Sequence, residues 1–160
     1  MKWAISVCVA FLGYSVPAQA DILAIVISED DLPYAMKSSN YDNSPSNYDN
    51  SSSNYDNAET TYDNAATTYE NSSTTYENSA SGKRNIYTQD GRRIGYYVFS
   101  DNGVLNFYNN SGRVFYMPSG GHTQSVFYTK GEEWCGTLGE MDGKTVLGVT
   151  RNCMLRMLME

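Results

Sequence analysis

Histidine is almost missing from this chain of 160 residues, which contains only His122, and cysteine is scarce, with Cys8, Cys135 and Cys153. A metal centre or a thiol nucleophile needs reduced sulfur, imidazole and further ligands, so neither is expected, and no cofactor is expected. There is no Cys-x-x-Cys pair, His-Glu-x-x-His, phosphate loop, dinucleotide fingerprint or nucleophile elbow. His122 sits in a Gly-rich turn beside Ser119, Thr123 and Ser125, and a Ser-His-acid set with Glu132 or Asp142 is formally possible. Nothing local supports it. The expectation is therefore a protein that is not an enzyme, with a hydrolase using His122 as the remotest alternative.

Cations are scarce as well, and unevenly so. From residue 21 to 82 eleven acids face the single Lys37, whereas residues 83 to 160 carry nine Lys and Arg against seven Asp and Glu. So acidic an arm does not suit nucleic acid or an anionic membrane surface. Long apolar runs are lacking too. The one at Trp3 to Val16 is interrupted by Pro17, Gln19 and Asp21 before it reaches about 20 residues. Preceded by Met1 and Lys2 and followed by Ala18-Gln19-Ala20, it reads as a secretory signal peptide, residues 1–20, which takes Cys8 with it and leaves no membrane span. An exported protein, periplasmic or secreted, is expected. Its two remaining cysteines, Cys135 and Cys153, then read as one disulfide.

What is abundant is tyrosine, and it recurs every seven residues: Tyr41, Tyr48, Tyr55, Tyr62, Tyr69 and Tyr76. Each is followed by an acid and then by Asn43, Asn50, Asn57, Asn64, Asn71 or Asn78. A coiled coil needs two apolar positions per heptad and good helix formers around them. Here the fillers are Asn, Ser, Thr and Asp, which compete with the helix for backbone hydrogen bonds. Six tyrosines cannot offset an ordering cost of about 1–2 kcal/mol per residue, so residues 37–82 are expected to be a disordered acidic linker. A multivalent ligand surface and a compact stacked repeat are the alternatives. Ahead of the linker, in the segment 21–36, Ile22 to Ile27 reads as a buried strand, with the C-terminal sheet as its expected partner and another protein as the alternative.

Residues 83–160 carry turn glycines at 91, 103, 112, 121, 131 and 143, the spacing of an all-β domain. The expected fold is a small antiparallel meander of six or seven strands, barrel or sandwich. Cys153 to Met159 is left open between strand and short helix. The expected core is Phe99, Leu105, Phe107, Val114, Val126, Trp134, Leu138, Val146 and Val149. Tyr97, Tyr108, Tyr116 and Tyr128 would form an outer aromatic face, with His122 as a further candidate binding residue. Simple cross-strand pairing is the plainer reading of those tyrosines, and a glycan or peptide surface the functional one.

The segments Pro118-Ser-Gly-Gly-His122-Thr and Trp134-Cys-Gly-Thr-Leu138, together with the heptads, resemble those of an uncharacterised family of small exported bacterial proteins that pair Asn-Tyr-Asp-Asn repeats with a small β domain. The resemblance implies that repeat and domain form a recurring unit, and it implies no activity. Three functions follow in order. The first is a non-enzymatic exported binding module carried on an acidic arm, with a protein or glycan partner in the cell envelope. The second is a surface or structural protein whose Tyr-acid-Asn repeats make multivalent contacts, and the third is the His122 hydrolase.

Overall fold

The computed structural model describes residues 20–119 and 124–159. The signal-peptide reading at residues 1–20 falls almost wholly outside them. Eight strands form a closed barrel: β1 (Ile22–Val26), β2 (Asn85–Tyr87), β3 (Arg93–Phe99), β4 (Leu105–Asn109), β5 (Gly112–Met117), β6 (Ser125–Tyr128), β7 (Trp134–Met141) and β8 (Lys144–Val149). The all-β expectation holds and the arrangement is a barrel, but with eight strands in place of six or seven. The two extra come from Asn85–Tyr87, too short to show a period, and from the distant Ile22–Val26.

From β2 to β8 the chain is an antiparallel meander. The N-terminal strand closes it, lying parallel to both neighbours, with Ile22 opposite Ile86 and Ala24 opposite Leu147. Closure leaves no bare edge in the sheet. Parallel neighbours require a crossover connection, and β1 reaches β2 through the whole heptad stretch.

Alternation along the strands assigns one residue type to each side of the wall. Ile22, Ile86, Tyr97, Phe107, Phe115, Val126, Leu138 and Leu147, one from each strand, belong to a single buried cluster in the barrel interior. Helix α1 (Arg151–Leu158) adds Cys153, Met154 and Met157 to it. The expected Cys135–Cys153 disulfide is present, and it ties this helix, left open between strand and helix above, to β7. Thr150 caps its first turn, accepting from the Cys153 amide at 3.4 Å. Gly136 is required where β7 crosses β8: a Cβ there would lie 1.9 Å from the Gly148 carbonyl oxygen.

Three of the expected core residues lie outside that cluster, and of these Val146 is nonetheless buried, at 7% exposure. Phe99 ends β3 and is 61% exposed, although its cross-strand partner Leu105 is fully buried. Trp134 belongs to a second cluster, with Leu32, Val104, Tyr116 and Phe127, packed by Ile27 and Met36 from the N-terminal segment.

Candidate functional site

The heptads form an ordered layer, not a disordered linker. Three-residue 3-10 turns at Tyr41–Asn43, Tyr48–Asn50, Tyr55–Asn57 and Tyr69–Asn71 alternate with further turns at the same phase. The asparagine of every heptad is buried, each at 2% exposure or less. Its side-chain amide donates to two backbone carbonyls, eight and six residues earlier. Asn50 Nδ2 reaches Asp42 O at 2.8 Å and Ser44 O at 3.0 Å. Asn57 repeats this on Asp49 and Ser51, Asn64 on Asp56 and Ala58, Asn71 on Asp63 and Ala65, and Asn78 on Glu70 and Ser72. Each amide thus fastens its own coil to the preceding one. Asn43 starts the ladder on Ala35 and Lys37.

The barrel wall supplies the other half of the order, with at least one donor to each coil. The asparagine carbonyls at 50, 64 and 71 accept from Tyr116, Tyr108 and Tyr96 hydroxyls at 2.7, 2.8 and 2.7 Å. Those at 57 and 78 accept from the Arg113 and Arg93 guanidiniums at 2.6 and 2.7 Å. As the repeats advance, the donors step from β5 through β4 to β3. Ser125 binds the Asn43 side-chain oxygen at 3.0 Å, and Asn106 binds that of Asn64 at 2.9 Å. Composition foretold disorder because it counted only the apolar area of the repeats. The missing contribution is the outer barrel face, where Tyr96, Val98, Tyr108 and Tyr116 lie under the layer at 4% exposure or less.

The residue ahead of each tyrosine changes along the repeats, from asparagine in the first three copies to threonine in the last three, and the exchange has a local basis. In the early copies Asn40, Asn47 and Asn54 cap their turns, each side chain accepting from the backbone N–H of the acid two residues on, at 3.1 Å. The later copies replace that asparagine by Thr61, Thr68 and Thr75, which are buried and donate to backbone carbonyls of their own layer. Either chemistry holds a turn, and the Tyr-acid-Asn core is indifferent to the exchange.

With asparagine and threonine turned inward, tyrosine is turned out. Tyr41, Tyr48, Tyr55, Tyr62, Tyr69 and Tyr76 are 62–76% exposed, and Tyr34, seven residues ahead of Tyr41, joins the row at 65%. The acids beside them are exposed as well, save the half-buried Asp63. The exposed row is the candidate site. Tyr34 was readable from its spacing alone. The inward roles of asparagine and of Arg93 and Arg113 were not, because they depend on which coil meets which strand.

The residues expected on an outer aromatic face are dispersed. Tyr97 points into the barrel at 2% exposure, its hydroxyl meeting Ala20. Tyr108 and Tyr116 do face outward but are sealed under the repeats. Tyr128 is half-buried in a recess of about 220 Å³ shared with Arg113 and Lys130, its ring 4.0 Å from the guanidinium carbon of Arg156, which also pairs with Glu133. His122 lies outside the described residues. Among the described residues no cluster of His, Cys, Asp or Glu could hold a metal ion, and no helix is long and apolar enough to cross a membrane.

Burial under the layer perturbs the clasping groups. It pushes the hydroxyls of Tyr96 and Tyr116 up to about 12, and that of Tyr108 further in the same direction. It pulls Arg113 down to about 10, since this cation is held by the Asn57 carbonyl and Asn106 with no carboxylate bonded to it. A raised tyrosine contributes stability that is fully present below its unfolded value of about 10 and is lost as pH climbs through the folded value. Arg113 works in the opposite sense, one group against three. Urea midpoints should therefore be level from pH 7 to 9 and fall between pH 10 and 12, with a shallower fall in Tyr116→Phe. A midpoint unchanged at pH 11.5 would contradict the sealed positions of these hydroxyls.

Compared with known proteins, the chain matches no family model, no curated protein and no solved structure.

Proposed function

We propose that the protein is a non-enzymatic, exported interaction module whose Tyr-acid repeats make multivalent contacts, the barrel acting as the scaffold that displays them. The carrying observation is the row of tyrosines left 62–76% exposed by a layer that buries the asparagine of every heptad. A large aromatic ring kept in water at every coil has no part in holding the layer, so its use lies outside the molecule. Each unit alone is weak. An exposed aromatic contact or an exposed ion pair is worth about 0.5–1 kcal/mol, so useful affinity requires several units engaged together, which a fixed spacing permits.

The order of readings drawn from sequence is thereby reversed. The barrel was the first candidate for the binding element, yet three of its four candidate tyrosines are covered. Export is supported by the disulfide. The resemblance to small exported repeat proteins agrees with this reading and names no partner.

Deleting the heptads would uncover Tyr96, Tyr108, Tyr116 and Arg113 and confuse loss of binding with loss of fold. The sharper test replaces Tyr41, Tyr48, Tyr55, Tyr62, Tyr69 and Tyr76 by serine in the mature chain. The melting temperature should stay within a few degrees of the parent while a partner captured from envelope extract is lost. Retention of that partner by the serine variant would move the binding site back to the barrel.

A further inference from the structure

Resting on that reading of the repeats as the contact surface, we propose that the row receives an extended polycation, a chain carrying repeated ammonium or guanidinium groups such as a Lys- or Arg-rich segment. Two features of the same surface point there. The first is the pairing, at each coil, of an exposed tyrosine ring with the carboxylate next to it in sequence: Asp42, Asp49, Asp56, Asp63, Glu70 and Glu77. A ring face attracts a cation through its quadrupole, and a carboxylate attracts it through charge, so both side chains favour the same guest. The second is sign. Residues 21 to 82 hold eleven acids against Lys37, and the ladder keeps its six carboxylates in one register.

A neutral glycan could stack on the rings, but it would leave that row of like charges unrelieved. A polyanion is repelled by it. A polycation neutralises it and at the same time covers the tyrosines. Rigidity matters here, because the asparagine amides and the barrel donors set the order and phase of the units before any partner arrives. The side chains that would touch the guest are not those that hold the layer: the ladder uses the main-chain carbonyls of Asp42, Asp49, Asp56, Asp63 and Glu70, and leaves their carboxylates out.

The test uses the full mature chain, with titration calorimetry measuring affinity in every variant and the tyrosine ring resonances locating the contact in the parent. The probes are lysine oligomers of increasing length, a glutamate oligomer and a neutral oligosaccharide. Lysine oligomers should shift the rings of Tyr41 to Tyr76, bind at least tenfold tighter when long enough to span several coils than when they span one, and weaken at least tenfold from 50 to 500 mM salt. Changing Asp42, Asp49, Asp56 and Asp63 to Asn and Glu70 and Glu77 to Gln should cost at least tenfold with the melting temperature retained. The six-serine variant should also lose at least tenfold, which a purely electrostatic association would not do; binding unchanged in that variant overturns the proposal. Ring shifts with the oligosaccharide and none with lysine would overturn the polycation while leaving the multivalent surface standing. A partner from envelope extract that remains bound to the six-serine variant would remove both.

Discussion

Replacing Asn64 by alanine should lower the unfolding free energy by about 2–4 kcal/mol, while Tyr62→Ser, two residues away, should change it by less than about 0.5 kcal/mol. The contrast follows from what each side chain touches. Asn64 is fully buried; its amide donates to Asp56 O at 2.7 Å and Ala58 O at 2.9 Å, and its oxygen accepts from Asn106 at 2.9 Å and Asn102 at 3.3 Å. Alanine removes all four bonds and leaves a cavity no apolar group fills. The loss stays below the full sum, because the Asp56 carbonyl keeps a second donor in Asn102 at 2.9 Å and Asn106 keeps Ser100. Asn64→Asp should be worse than alanine at neutral pH despite its matching shape, since a carboxylate offers no proton to two carbonyl oxygens and is buried with its charge. Tyr62 is 73% exposed, and its one role in the layer, accepting from Thr68 at 2.6 Å, belongs to its backbone carbonyl, which serine keeps. Chemical denaturation of the three variants decides the matter, and a tolerant Asn64→Ala would mean that the coils are held by the barrel alone.

Breaking the disulfide has the second large effect. Cys153→Ser should cost about 2–5 kcal/mol, as removal of a native bridge from a small exported domain commonly does, with about 3 kcal/mol of it expected from the 18-residue separation that the bond closes. The position of the bond adds a consequence the chain-entropy estimate omits. Cys135 and Cys153 are both fully buried, and the helix whose first turn holds Cys153 contributes Met154 and Met157 to the interior cluster. Losing the tether frees the helix that closes part of the core, so near-ultraviolet circular dichroism should weaken before the far-ultraviolet strand signal does. In the native protein no thiol should react until it is unfolded and reduced. Two titrating thiols in folded, unreduced material would refute the bridge.

The barrel itself was largely legible. Turn glycines and alternating apolar residues place β3 to β8 within a few residues of their positions, and the run at Ile22 demanded a partner on grounds of edge exposure. Phe99 misled because periodicity says which face a strand residue belongs to and nothing about how deeply its ring is covered. The repeats misled for a different reason. Ser, Asn and Thr are counted against order when a segment is weighed alone, yet here the same groups are spent on a surface that lies elsewhere in the chain. Tyr108 and Arg113, 44 and 56 residues from the carbonyls they serve, carry no local mark of that duty. The candidate site is the converse case: the tyrosine period was evident at once, and only its direction, outward, needed the fold.

The crossover from β1 to β2 has a bearing on how such a chain can change. Because the asparagine amide always reaches back eight and six residues, gaining or losing a number of residues that is not a multiple of seven would throw every later coil out of phase. Whole heptads can be copied or deleted without that penalty. They cannot be added indefinitely, since the wall provides one clasp each for Asn50, Asn57, Asn64, Asn71 and Asn78, and these are already taken by donors running from Tyr116 to Arg93. A supernumerary coil would find those five donors occupied. The donors on β3 to β5 thus act as a gauge of copy number, setting the length of the displayed row.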